Sequence, residues 1–201
     1  MFSGWLTVLV FLPAIGALFI ALTPVTGKRI KYMAAVISII ELILAITIFA
    51  IYDNSKPGFQ LVDQFTNWVP IESFRVEYIL GIDGLSAPLV LLTGLLGVAS
   101  IFASWSIQFR EKEYFVWLLV IQTAVMGVFT SLDLILLFIF WELELLPMFL
   151  LISIWGSGRK EYSAMKFFIF TILGGAFMLV SILVLFFSVS TFNIIELPSV
   201  L

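Results

Sequence analysis

DLILLFIFWELELLPMFLLISIW, residues 133–155, is long enough to cross a bilayer as one helix, yet it holds two carboxylates, Glu142 and Glu144, near its middle. A run of about 20 apolar residues spans the hydrocarbon core of a membrane. An ionised group at that depth is costly unless it is paired, hydrated or protonated. Anchoring needs no such group, so the two acids mark this helix as the place to look for function. Pro147 follows a few residues on and withholds the amide that would have bonded the Leu143 carbonyl. The freed acceptor lies close to the acids, which suits a buried water or a proton carrier.

Composition carries the same reading to the whole chain. Of 201 residues, 62% are hydrophobic and only 11% are charged. A water-soluble domain with that balance would expose far too much apolar surface, so an all-α, multi-pass integral membrane protein is predicted. The chain has no cysteine and no histidine. That excludes disulfides, Cys/His zinc sites and histidine-ligated haem or copper, and it removes the usual acid–base group of neutral pH. A net charge of −3 gives no sign of a nucleic-acid partner. The first sixteen residues lack the basic start of a cleavable signal peptide and read as part of a retained first helix.

Apolar runs of spanning length predict six helices, at 5–22, 30–52, 83–105, 114–131, 133–155 and 162–188, within a single transmembrane domain over 1–201. Pro13 falls inside the first and Glu41 near the middle of the second. The sixth carries Lys166 near its start and the flexible pair Gly174-Gly175 further on. Seven basic residues (Lys28, Arg29, Lys31, Arg110, Lys112, Arg159 and Lys160) fall in one set of alternate connections, against two, Lys56 and Arg75, in the other. Cytoplasmic loops collect Lys and Arg, so both termini are expected outside. The long connection 53–80 then lies on the outer face. In it Phe74, Val76 and Tyr78 alternate with Arg75 and Glu77, the period of a half-buried strand, and Asn67 to Pro70 offers a turn before it. A short outer hairpin is expected there, with a structural role.

Glu142 and Glu144 are two positions apart, about 200° around a helix, so they face nearly opposite sides and do not form a close pair. A buried acid holds its proton more tightly, and an approaching cation loosens that hold. A glutamate whose cation can come and go therefore has a means of driven proton transfer. Lys166 is the nearest candidate cation, although straight helices leave it roughly 14 Å from Glu142 in depth; its structural alternative is snorkelling to the interface. Glu41 has no evident basic partner and reads as a structural polar contact. Asp83 and Asp133 stand where helices begin and read as caps on free amides. Ala99 and Ala103 read as a close-packing face. No phosphate loop, dinucleotide fingerprint, nucleophile elbow or metal-binding cluster occurs, so the chain shows no site for redox chemistry or hydrolysis.

WELELLPMFLLISIWG at 141–156, RKEYSAMKFFIF at 159–170 and LGIDGLSAPLVLLTG at 80–94 resemble one family closely. It is the proton-pumping subunit M, or chain 4, of NADH-quinone oxidoreductase of the respiratory complex I type, with its chloroplast and cyanobacterial relatives. Mrp-type antiporter subunits share the Trp-Glu motif but resemble the flanks less well. The resemblance implies that Glu142, directly after Trp141, is the family's mid-membrane proton-relay glutamate. It implies that Lys166 modulates that acid or lines its water path, and that Glu144 is a secondary acid. No cofactor or metal is implied in this chain. Quinone and redox groups are implied on partner subunits, and the partners are other membrane-arm subunits, lipid and protons. The location implied is a prokaryotic cell membrane or a thylakoid-type membrane. Family members resemble a chain of about fourteen spanning helices built from inverted repeats, so the present sequence is expected to be the amino-terminal part of a longer chain. Three readings stay open on the residues alone: a proton-pumping oxidoreductase subunit, an Mrp-type cation/proton antiporter subunit, and a structural membrane scaffold without transport.

Overall fold

The computed structural model describes residues 4–69 and 76–200. Among these, six helices are long and apolar enough to cross a membrane. They are α1 (Trp5–Leu22), α2 (Lys28–Ile51), α3 (Ser86–Ala103), α4 (Glu111–Thr130), α5 (Leu134–Trp155) and α6 (Lys160–Val189), with a final turn α7 (Leu197–Val200). Helices α1 to α4 form a bundle, α5 packs on α4, and α6 packs on α5. Pro13 and Pro147 lie inside continuous helices and do not end them.

The predicted hairpin is present. Strands β1 (Gln60–Val69) and β2 (Val76–Ile82) pair antiparallel, in register at Asp63 with Leu80 and Phe65 with Tyr78. Phe74, Arg75 and Pro70 lie outside the described residues, and Asn67 to Val69, expected to turn, instead continue β1. The expected alternation does not hold, because β2 is covered on both faces. Glu77, placed on the solvent side by its period, is buried, and Val76, Ile79, Leu80 and Ile82 are buried with it.

Its coverage comes from the helix ends. Asp63 is fully buried and accepts hydrogen bonds from Gly4 N (2.6 Å), Thr7 N (2.9 Å) and Thr7 Oγ1 (3.0 Å), tying β1 to the start of α1. Asp133 caps α5 by accepting from the amides of Ile135 and Leu136, and it also accepts from Glu77 N at 3.1 Å. Burial pushes the Asp133 carboxyl above its ordinary value, against the pull of those three amides. Leu132 bonds on both sides, its amide to the Ile79 carbonyl and its carbonyl to the amide of Ile194. The hairpin, residues 131–133 and residues 192–194 thus form one hydrogen-bonded layer across the end of the helices.

Other expectations shift by small amounts. Helix α3 starts at Ser86, not at 83, because Asp83 is used in the preceding turn: its Oδ1 accepts from Leu85 N and Ser86 N, while Ser86 Oγ accepts from Asp83 N. Helix α3 does not pack through Ala99 and Ala103, which are exposed. It packs through Gly94, which touches the Leu42 and Ala45 side of α2, and Gly97, which lies against Gln122 of α4. Lys31 is inside α2 and buried, with Nζ on the carbonyls of Trp105 and Ile107 and 3.4 Å from Glu111.

Candidate functional site

The fifth helix places its two acids as the spacing requires. Glu142 turns toward α6, where its carboxyl lies directly on the backbone of Gly175. A Cβ added at Gly175 would come within 1.9 Å of Glu142 Oε1, so this contact exists only because the residue is glycine. Helix α6 runs unbroken through Gly174-Gly175, the pair read as flexible, and Gly175 alone provides a cradle for Glu142. Glu142 Oε1 is buried and has no hydrogen-bond partner among the described residues. Glu144 is half-buried on the other side of α5. The two acids therefore serve different surroundings.

Lys166 is not brought to Glu142. Nine residues separate it from Gly175, which puts it about 13 Å away along the axis and on the opposite face of α6. Its side chain is exposed, with Nζ 6.0 Å from the centre of the Phe170 ring. Among the described residues no ion pair joins it to either glutamate. Most of the α6 surface is apolar and exposed, including Ile169, Phe170, Leu173, Phe177, Val180 and Val184, as suits a helix facing lipid or neighbouring helices.

Comparison with known proteins places this arrangement. Residues 131–201, which hold both acids, Lys166 and the glycine cradle, match the family described as "NADH:quinone oxidoreductase/Mrp antiporter, TM". That segment belongs to the family. The chain is 42% identical over 197 residues to the NAD(P)H-quinone oxidoreductase chain 4-2 of Synechocystis sp., covering 96% of this chain and 35% of that protein. Against the NAD(P)H-quinone oxidoreductase chain 4 of Gloeobacter violaceus it is 36% identical over 198 residues, covering 97% and 37%. The fold is shared with a chain of respiratory complex I from Thermus thermophilus with bound NADH, at a TM-score of 0.80 and 21% identity, covering 97% of this chain and 39% of that one. It is shared equally with a chain of the membrane-bound sulfane sulfur reductase, an archaeal respiratory membrane complex, at a TM-score of 0.79 and 19% identity, covering 97% and 30%. The chain spans about a third of the length of the curated relatives it matches.

Two features of the site are not legible in the sequence. The first is Gly175, whose role becomes visible only once its helix lies beside Glu142; a glycine inside a long apolar helix was the available signal. The second is a group of polar side chains inside the α1–α4 bundle. Ser38 donates to Gln122 Oε1 at 2.9 Å, and Glu41 one turn further along α2 is fully enclosed. The structural polar contact expected of Glu41 is not found, since neither of its oxygens has a hydrogen-bond partner among the described residues.

Proposed function

We propose that this chain works as a membrane-arm subunit of a proton-translocating NAD(P)H-quinone oxidoreductase and relays protons through Glu142. The observation that carries the reading is the glutamate held at mid-helix on α5, with a buried oxygen set against the bare backbone of Gly175. A side chain in that position can hold or release a proton without first breaking a fixed ion pair. The names of the relatives at about 40% identity, all chain 4 of NAD(P)H-quinone oxidoreductases, favour this reading over a separate cation antiporter or a passive scaffold.

Quinone and the redox centres belong to partner subunits, and this chain contributes the proton path. Lys166 faces away from Glu142, so its part in the relay is to set the field at the path's edge and not to touch the acid. Both chain ends stand on the outer side of a prokaryotic or thylakoid-type membrane, an orientation that the Lys and Arg distribution supports. The deciding experiment replaces Glu142 by Gln in the full-length subunit within its assembled complex. Proton translocation should be abolished or sharply reduced while the complex remains assembled. Pumping at the wild-type level in that variant would end the assignment.

A further inference from the structure

The α1–α4 bundle has two dry cores with a polar layer between them. On the hairpin side, Leu6, Leu9 and Val10 of α1 pack with Ala45, Ile48, Val90 and Met126. On the other side, Ala17, Ile20, Ile30, Ala34, Ile101, Phe115 and Leu119 pack together. Between the two, each helix supplies residues that are not ordinary core. Helix α1 supplies Pro13 and Gly16, α2 Ser38 and Glu41, α3 Thr93, Gly94 and Gly97, and α4 Gln122 and Thr123, all of them buried.

This layer is under-satisfied. Besides both oxygens of Glu41, Gln122 Nε2 and Thr123 Oγ1 are buried without a hydrogen-bond partner among the described residues. Buried polar groups are normally bonded, so a concentration of unbonded ones points to something the protein holds there. Among the described residues no charge answers Glu41. The spans of α1 and α3 contain no ionisable residue. The charged groups of α4, Glu111, Lys112 and Glu113, and its Tyr114, are confined to its first turn. Lys28, Arg29 and Lys31 sit in the first turn of α2, so even Lys31 is about 15 Å from Glu41 along the axis, and it is engaged by Glu111 and two carbonyls. A bare carboxylate with neither cation nor donor is the least tolerable group a protein interior can hold. A carboxyl group bearing a proton fits the same space.

The layer borders open space on one side. A cavity of about 460 Å³ between α3, α4 and α5, walled mainly by apolar side chains, also has Thr93, Gly97, Ser100 and Gln122 in its lining. Gln122 also holds Ser38, so a path of polar contacts runs from the cavity to the neighbour of Glu41. We propose that this layer is a second proton-accepting site within the membrane, separate from Glu142. In it Glu41 takes up one proton from water to form the neutral acid and returns it to water by the reverse step.

The test is infrared spectroscopy with hydrogen–deuterium exchange on the full-length protein in its assembled complex. It compares the wild type with Glu41→Gln and, separately, with Glu142→Gln. The proposal expects a carboxylic-acid C=O band that shifts in D2O, disappears in Glu41→Gln and persists in Glu142→Gln. A band that Glu41→Gln removes but D2O never shifts would reveal a permanently closed acid and overturn the site. A spectrum that Glu41→Gln leaves unchanged would overturn it equally. If Glu41→Gln fails to assemble, Glu41→Asp keeps a carboxyl group with a shorter reach and should displace the band. A band that stays put in that variant rejects the proposal. Because Glu142→Gln serves here only as a reference, a failed Glu142 relay leaves this result unaffected.

Discussion

Two mid-helix glutamates of this molecule, Glu142 and Glu41, live in opposite settings. Glu142 lies where only two helices meet, against a glycine, on a part of the molecule whose outer face is bare apolar surface. Glu41 lies in a four-helix bundle, fully enclosed, level with Gln122 and Ser38. The first surrounding can change with a modest shift of α6 against α5, while the second is fixed by interlocking glycines and side chains on several helices. Burial depth alone therefore does not identify a relay residue; what matters is how few contacts must move for its surroundings to alter. On this view, changes at the α5–α6 contact should affect transport more than stability, and changes in the bundle outside its polar layer should do the reverse.

The sharpest way to break that contrast is Gly175→Ala. Its Cβ would displace the Glu142 carboxyl, the far end of a flexible side chain, so folding should be little changed. Proton translocation in the assembled complex should fall roughly tenfold or more, since misplacing a reacting group by about 1 Å is expensive. Gly174→Ala, with open space around it, is the matched control and should pump normally. Proton flux that is equal in the two variants would remove the cradle from the argument.

Next in size is Lys31→Met in the bundle. It strips a buried cation from Glu111 and leaves the Trp105 and Ile107 carbonyls unbonded, a loss of about 3–5 kcal/mol by analogy with other buried pairs. Thermal unfolding in detergent should show a clear drop in Tm, with protons moved per electron unchanged in whatever assembles. Gly127→Ala is milder. A Cβ there would meet the Phe140 ring at 2.2 Å, and the α4–α5 contact should weaken by roughly 1–3 kcal/mol in the same assay.

The smallest effect concerns Asp133. Its carboxyl is raised in the folded protein by burial, so the folded state binds that proton more tightly than the unfolded chain does. The stability it contributes is present below the unfolded carboxyl value and is lost as pH rises through the folded one. Asp133→Asn should flatten this acidic part of the Tm-against-pH curve relative to wild type. An unchanged curve would show that the cap is indifferent to its charge.

The number and limits of the helices were legible because an unbroken apolar run has little else to do in a membrane; α1 falls on 5–22 as predicted and α5 begins one residue after Asp133, its cap. Faces were not legible. A helix that is apolar all round carries no stripe to say which side meets a neighbour, and so the spacing of Ala99 and Ala103 reads as a packing face although Gly94 and Gly97 form it. Lys31 reads as one of the loop basics in sequence because nothing local distinguishes a lysine at a helix start that snorkels from one that is walled in. At the site, the opposed directions of Glu142 and Glu144 followed from spacing alone. The distance of Lys166 was foreseen as depth, but its position on the far face of α6 required the packing of α6 on α5.

The clamping of Leu132 between Ile79 and Ile194 also has a mechanical result. Strapped there to strand on one side and chain on the other, α5 has the geometry of a lever with its fulcrum at one end. Ten residues along, or about 15 Å, a swing of roughly 4° carries Glu142 about 1 Å sideways, while the fulcrum barely stirs. The hairpin layer thus converts a slight rocking of one rod into a displacement comparable to the length of a bond to hydrogen.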